Sequence, residues 1–455
     1  MLMIQKIIIL HVTVFTLLLG MYGINLKVCI AQEDDTSKTL VENKIPDGII
    51  VLSKESTKWD LDGLVKEAIQ HNPQLLSKQF LYNSALSAVD SAYWQFFPSP
   101  YVQLQQANNA SGHSLDQRAL TAGIQQPIWS GGRLTAGYNA AKSDARSADI
   151  VTDEVRYSLA IQVANTYQSF LQSRERVAAQ REGNRRLEDF AAMIERRVKN
   201  GISAEVDKSL VQSRLNQGNS DLSVAVAAEL TALVRLEQLV GRSININDIE
   251  NASLFPPLPA KIKDAEISKI IMTHPTLRRL DADIETAKYQ SDLQKSTLWP
   301  TASIKAEYQS SLSSRNSTPD DGRIYLNISY APGAGLSVLS TIRQSESRVS
   351  SQKELYQASK RDLQSQIAAE YNDCSSSFAR IYVSGVILKS TNEVLNSYKR
   401  MFIAGKRSWL DVLNAARELT QFEQLMADTK AQYVGSEYRL RIYTGENLLL
   451  NRTGK

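Results

Sequence analysis

Residues 402–411 read Phe-Ile-Ala-Gly-Lys-Arg-Ser-Trp-Leu-Asp, and residues 198–207 read Val-Lys-Asn-Gly-Ile-Ser-Ala-Glu-Val-Asp. Both stretches set a glycine ahead of an aspartate at the same spacing, Gly201 before Asp207 and Gly405 before Asp411, and 405 minus 201 equals 411 minus 207, or 204. Asn200-Gly201 and Ala404-Gly405 are helix C-terminal signals, while Ser203 and Ser408 stand as caps for a helix that returns. Two helical hairpins of one make are expected, with tip turns at 200–203 and 404–408.

Upstream of each turn lies a long uninterrupted helix. Residues 133–199 contain no proline and only two glycines, Gly137 and Gly183, while Ala141, Ala145, Ala148, Val155, Leu159, Val163, Tyr167 and Phe170 recur at helical spacings. Residues 336–404 contain no proline and only Gly385. A helix of that length is a rod of roughly 100 Å, too long for an ordinary globule. The returning helices, about 203–240 and 408–444, are too short to cover it. Residues 73–97 and 275–298 supply the missing length, so two short helices stacked end to end should flank each long one.

Working farther outward, Pro73 and Pro275 are 202 apart, as are Pro98 and Pro300. The chain is therefore a duplicated unit of about 200 residues, with a two-residue drift between Pro98 and Gly201. Between the short and long helix of each unit the hydrophobic pattern alternates with period two, over about 101–111 and 119–129, then 302–310 and 323–331. Polar loops join the members of each pair. Four such strands cannot close a barrel, and an open sheet leaves two edges, so other copies must complete it. Trp94, Phe97, Trp129 and Trp299 sit where strands meet helices. Aromatic girdles hold such positions at the bilayer surface of transmembrane β-barrels, although closing an ordinary core end would serve equally well.

Residues 1–31 carry Lys6, an apolar run from Ile7 to Met21, and Cys29-Ile30-Ala31, the pattern of a secretory signal peptide cut after Ala31, with 32–58 an N-terminal extension. Removing it takes away Lys6, Lys27 and Cys29, leaving 50 basic against 48 acidic residues and one cysteine, Cys374. The 52 Lys and Arg against 48 Asp and Glu of the whole chain make no basic field for nucleic acid. No later segment is apolar enough to cross a membrane as a helix. Chemistry is missing as well: His71, His113 and His274 form no metal motif, Cys374 has no activating neighbour in sequence, and Gly131-Gly132-Arg133 lacks the lysine of a phosphate loop. No catalytic residue, metal or cofactor is expected.

The order helix, strand, loop, strand, Pro127-Ile-Trp-Ser-Gly-Gly-Arg133, long helix, Gly201-x5-Asp207, returning helix, repeated twice behind a signal peptide, resembles the TolC family of outer-membrane efflux proteins over residues 59–446. The resemblance implies a mainly α chain with a membrane β-barrel portion, built of two repeats, 59–240 and 265–446, joined by an equatorial linker at 241–264 and followed by a tail at 447–455. It implies a homotrimer whose twelve-stranded barrel in the outer membrane of a Gram-negative bacterium continues as a periplasmic α-barrel. It further implies a periplasmic adaptor, an inner-membrane transporter, outer-membrane lipid and exported cargo as partners.

Residues 402–418 and Tyr438-Arg-Leu-Arg-Ile-Tyr-Thr-Gly445 look closest to the LapE-like subgroup, which exports large adhesins and agglutination proteins by type I secretion through an ABC transporter. Ala331-Pro-Gly-Ala-Gly-Leu-Ser337 replaces the usual second Gly-Gly motif, as in that subgroup. A duct for drug efflux is the nearer rival, and a periplasmic coiled-coil adaptor the farther one. Carried over by position, Asp411 is the ring aspartate of a periplasmic gate, and Asn414 replaces the second acidic ring. Arg407 and Asp207 match the polar pair that ties an inner helix pair to its neighbour, and Phe402 replaces a tyrosine, making that link apolar. Trp409, beside Gly201 and Gly405 at the tip, either docks an adaptor or is buried between helices. Ser408-x-x-Asp411 is equally a capping box, useful at any helix start.

Overall fold

A computed structural model describes residues 58–107, 117–250, 264–311, 321–331 and 337–445. The chain divides into two units, Met1–Glu55 and Ser56–Lys455, and every described residue belongs to the second. The signal peptide 1–31, nearly all of the extension 32–58, the two strand-joining loops, linker residues 251–263, the Pro-Gly segment 332–336 and the tail 447–455 lie outside the described residues.

The first repeat comprises α1 (Leu61–His71), α2 (Pro73–Trp94), β1 (Ser99–Ala107), β2 (Gln117–Trp129), α3 (Arg133–Lys199) and α4 (Glu205–Val240). The second comprises α5 (Asp264–Thr273), α6 (Pro275–Ser296), β3 (Thr301–Ser311), β4 (Asp321–Ser329), α7 (Ser337–Ile403) and α8 (Trp409–Thr444). Both long helices hold 67 residues and both returning helices 36.

Helices α1 and α5 are additions to the sequence expectation, separated from α2 and α6 by a single residue each. A residue before proline is pushed out of the helical region. Asn72, ahead of Pro73, sits at ψ 123°, and His274, ahead of Pro275, at ψ 134°. Each then caps the helix that follows: Asn72 Oδ1 accepts from the Gln74 N–H at 2.9 Å, and His274 Nδ1 from the Thr276 N–H at 3.3 Å.

The His274 cap is titratable. Its ring is buried against Tyr157 and Tyr443, and burial pushes its pKa down to about 4 from an ordinary 6.5, nearby Glu154 opposing in part. The folded state thus holds it neutral, and the stability present above pH 6.5 is lost as pH falls from there toward 4. Going from pH 7 to pH 5 should remove about 2 kcal/mol through this group. His274→Asn, which copies the cap used at Asn72, should flatten that part of the melting-temperature profile of the purified protein.

Helix packing follows the chain's two edges. α3 packs on α1, α2, α4, α6 and α8, whereas α7 packs on α6 and α8. Beside the strands the lateral order is therefore α2, α3, α6, α7, and toward the tips it is α4, α3, α8, α7. The sheet runs β1-β2-β3-β4, antiparallel throughout, in the matching order. One edge of the repeat pair carries α2, β1 and α4, and the other carries β4 and α7.

Burial concentrates in separate apolar cores. An equatorial core joins Leu159, Val163, Tyr167 and Phe170 of α3 to Leu64 of α1, Leu236 of α4 and Tyr438 of α8. A smaller one joins Leu277 and Leu280 of α6 to Leu363 and Ile367 of α7. The third lies at the tips and is formed by Phe190, Ile194, Val211, Leu395, Phe402 and Trp409 with the first turns of α8.

Candidate functional site

The two tips are built alike from the backbone upward. Gly201 and Gly405 both have φ of 72°, the left-handed region where a side chain is costly. In the first, the Gly201 N–H bonds to Val198 O and the Ile202 N–H to Arg197 O; in the second, Gly405 N–H bonds to Phe402 O and Lys406 N–H to Met401 O. This is the same paired closure of a helix end in both repeats.

Past the turns the two differ, and one expectation is corrected. Ser408 caps α8, its Oγ accepting from the Asp411 N–H at 3.2 Å. Ser203 does not cap α4: that helix starts after Ala204, which makes no side-chain cap, and Ser203 Oγ instead accepts from Arg197 Nε at 3.1 Å. At the constant offset of 204 residues, Ser408 corresponds to Ala204 and not to Ser203, which is why only the second repeat has a side-chain cap.

Of the expected gate residues, Asp411 and Arg407 meet within one chain. Asp411 completes the capping box, and hydrogen bonds from Ser408, with Arg407 Nη1 at 3.5 Å, hold its carboxyl below the usual aspartate range. The Arg407 guanidinium also lies 4.5 Å from the centre of the Tyr398 ring. Asn414 is exposed one turn beyond Asp411 on the same helix. Asp207, on α4, makes no side-chain hydrogen bond or ion pair among the described residues, and α4 and α7 lie at opposite edges. Within the chain Arg407 pairs with Asp411 and not with Asp207.

The docking role for Trp409 is not supported. Trp409 is 3% exposed, packed between Phe190 at 5.5 Å and Phe402 at 5.0 Å between ring centres, because α8 is wedged between α3 and α7. Phe402 is likewise buried, under the Arg197 guanidinium at 4.8 Å. Apolar surface at the tip is presented instead by Ile202, Val206, Met401, Ile403 and Leu410, with Val206 at 73% and Leu410 at 47%. The offset arithmetic held the signal: Val206 and Leu410 stand at the same place in the two repeats, each just before its aspartate.

At the other end, the sheet separates its residues cleanly by face. Val102, Leu104, Ile124, Ile304, Tyr308, Ile324, Leu326 and Ile328 share one face, and all are exposed. The other face is polar. On it Tyr101, Gly123, Glu307 and Arg323 form one register row across four strands. Glu307 accepts from Tyr101 Oη at 2.6 Å, Arg323 Nε at 2.9 Å and Tyr325 Oη at 2.9 Å. A Cβ at Gly123 would fall 2.9 Å from the Tyr101 ring, so only glycine lets that ring cross β2 to reach Glu307.

The junction aromatics are exposed and do not close a core of this chain: Trp94, Phe97, Trp129 and Trp299 all stand in the open. Trp94 packs on Phe97 at 5.2 Å and Trp129 on Trp299 at 6.2 Å between ring centres.

A family profile described as outer membrane efflux protein matches residues 64–242 and again residues 267–446, once per repeat. The chain belongs to this family. Among its relatives are the alkaline protease secretion protein AprF of Pseudomonas aeruginosa, 23% identical over 72% of this chain and 70% of AprF, and the outer membrane protein TolC of Vibrio cholerae, 21% identical over 85% and 91%. The fold is that of a solved membrane protein from Pseudomonas aeruginosa, with TM-score 0.74, 17% identity and coverage of 87% of this chain and 95% of that one. This efflux protein is accordingly an outer-membrane channel with a long periplasmic helical portion, and its work is conduction, not catalysis. Among the described residues no helix is long and apolar enough to cross a membrane, and the two-faced sheet is the element suited to it.

Proposed function

We propose that this efflux protein is the outer-membrane duct of a type I secretion system and passes protein cargo, a large adhesin, across the periplasm and outer membrane. The observation that carries the proposal is the likeness to AprF, a protease secretion protein, over 72% of the chain. The residues quoted from the α7–α8 tip and from Tyr438 to Gly445 point the same way.

Three copies of the four-stranded sheet give twelve strands, β4 of one copy pairing with β1 of the next, which removes both open edges. The apolar face then meets lipid, with Trp94, Phe97, Trp129 and Trp299 at the bilayer surface, and the row around Glu307 faces the lumen. In that ring α7 of one copy lies beside α4 of the next, which brings Arg407 to Asp207 across the boundary. Asp411 and Asn414 line the constriction, and Phe402 supports it from within. Gly201 and Gly405 shape the turns on which exposed Ile202, Val206, Ile403 and Leu410 meet a periplasmic adaptor and, through it, an inner-membrane ABC transporter. That transporter supplies the energy.

The alternative is a duct for drugs or other small molecules, supported by the likeness to the solvent efflux pump outer membrane protein SrpC of Pseudomonas putida, 22% identical over 55% of this chain and 54% of that one. Deleting the gene separates the two. Loss of surface adhesin with unchanged drug susceptibility is expected; loss of drug resistance with adhesin export intact would make the alternative correct.

A further inference from the structure

Between the equatorial core and the tip core, the helices are held by a different kind of contact. On α3 the buried residues between Leu171 and Phe190 are Ser173, Val177, Gln180, Gly183 and Asn184. On α7, between Ile367 and Leu395, they are Cys374, Ser377 and Ser384, and on α4, between Val211 and Ala232, they are Gly218 and Glu229. Val177 is the one large aliphatic side chain among them. At about 1.5 Å per residue, the stretch from 173 to 186 is a belt roughly 20 Å tall.

Polar bonds fill the belt. Gln424 Nε2 donates to Gln180 Oε1 at 2.7 Å, Gln180 Nε2 to Gly218 O at 3.2 Å, and Asn184 Nδ2 to Asn219 Oδ1 at 3.0 Å. Arg176 makes two bonds of 2.6 Å to Asp428, and Arg186 reaches Glu423 and Thr420. Glycines bring the helices close without interlocking side chains: a Cβ at Gly183 would lie 2.7 Å from Thr420 Oγ1. A cavity of about 200 Å³ opens here between α3, α4 and α8.

These contacts differ from an apolar core in how they yield. Interdigitated side chains hold one arrangement and resist shear. Amide hydrogen bonds can instead change partners, to a neighbouring amide or to water entering the adjoining cavity, so sliding need leave no group unpaired. The Arg176–Asp428 pair is partly open to solvent and holds the helices only weakly. Motion of α8 along α3 is therefore cheaper in the belt than in the core on either side of it.

We infer that the belt is the hinge on which the tip core swings as one piece against the equatorial core when the tips open. The inference rests on reading Arg407, Asp207 and Asp411 as a gate, and its test keeps the two apart. In hydrogen–deuterium exchange on the purified assembly, amides of 173–186 and 420–429 should exchange about tenfold faster than those of 159–171 and 412–419. Equal protection overturns the hinge.

Single-channel conductance then ties the hinge to the gate. Arg407→Ser with Asp207→Ala should raise conductance, and adding Gln180→Leu with Gln424→Leu should return it toward the unmodified value by making the belt apolar. If the first pair leaves conductance unchanged, the gate assignment fails and exchange alone decides the hinge. If conductance rises and the leucines leave it high, the gate stands and the hinge is overturned. Should the leucine variant not assemble, exchange on the unmodified protein still decides.

Discussion

Replacing Arg439 with methionine is expected to destabilise the protein by about 3–5 kcal/mol. Arg439 is the centre of the equatorial junction: Nε donates to Glu370 Oε1 of α7 at 2.8 Å, and Nη1 to Asn165 and Gln168 of α3 at 2.9 and 2.7 Å. The arginine and glutamate side chains are only 12% and 19% exposed. Glu370 Oε2 is buried and has no partner, so the arginine is what compensates its charge. Without it a buried carboxylate stands alone, the costly half of a broken pair. Denaturant melting of the detergent-purified protein checks this, and the double variant with Glu370→Gln should recover part of the loss. A loss under about 1 kcal/mol for the single change would mean the pair is worth no more than a surface one.

Gly131→Ala should be the most damaging small change at the joint between sheet and helices. Gly131 has φ of 58°, and an added Cβ would fall 2.5 Å from Trp299 Cβ and 3.1 Å from Ser296 O. Those atoms belong to the chain where α6 turns into β3 and cannot swing aside like the end of a flexible side chain. Gly132 is the internal control, with φ of 86° and nothing near its would-be Cβ. Alanine at Gly132 should cost only the left-handed backbone strain, about 1–2 kcal/mol. At Gly131 overpacking adds about 1–3 kcal/mol, and the yield of assembled protein in outer-membrane fractions should drop well below that of the Gly132 variant. Equal yields would contradict the geometry.

Much of the fold was legible because duplication is written in backbone punctuation. Pro73 and Pro275, Pro98 and Pro300, Gly201 and Gly405 act locally, so their spacing survives even where side chains diverge. The alternating strands were legible for the same reason, each side chain answering to one face. What stayed hidden depends on which helix lies beside which. Trp409 opens α8 as Glu205 opens α4, and only the position of α8 between α3 and α7 makes the tryptophan a core residue while Glu205 stays exposed. The polar belt is hidden likewise: Gln180 and Gln424 are 244 residues apart, and neither stands out until α3 and α8 are seen to pack. The break before Pro73 is legible in principle, since a helix rarely runs through the residue ahead of a proline, and with it the short helix α1 on its far side.

The open edges at β1 and β4 carry the central claim, that this chain forms a membrane conduit only in company with its own copies. Native mass spectrometry of the detergent-solubilised protein tests it most directly. Three chains per particle are expected, twelve strands in all; a particle of one chain, or of two, would contradict the account.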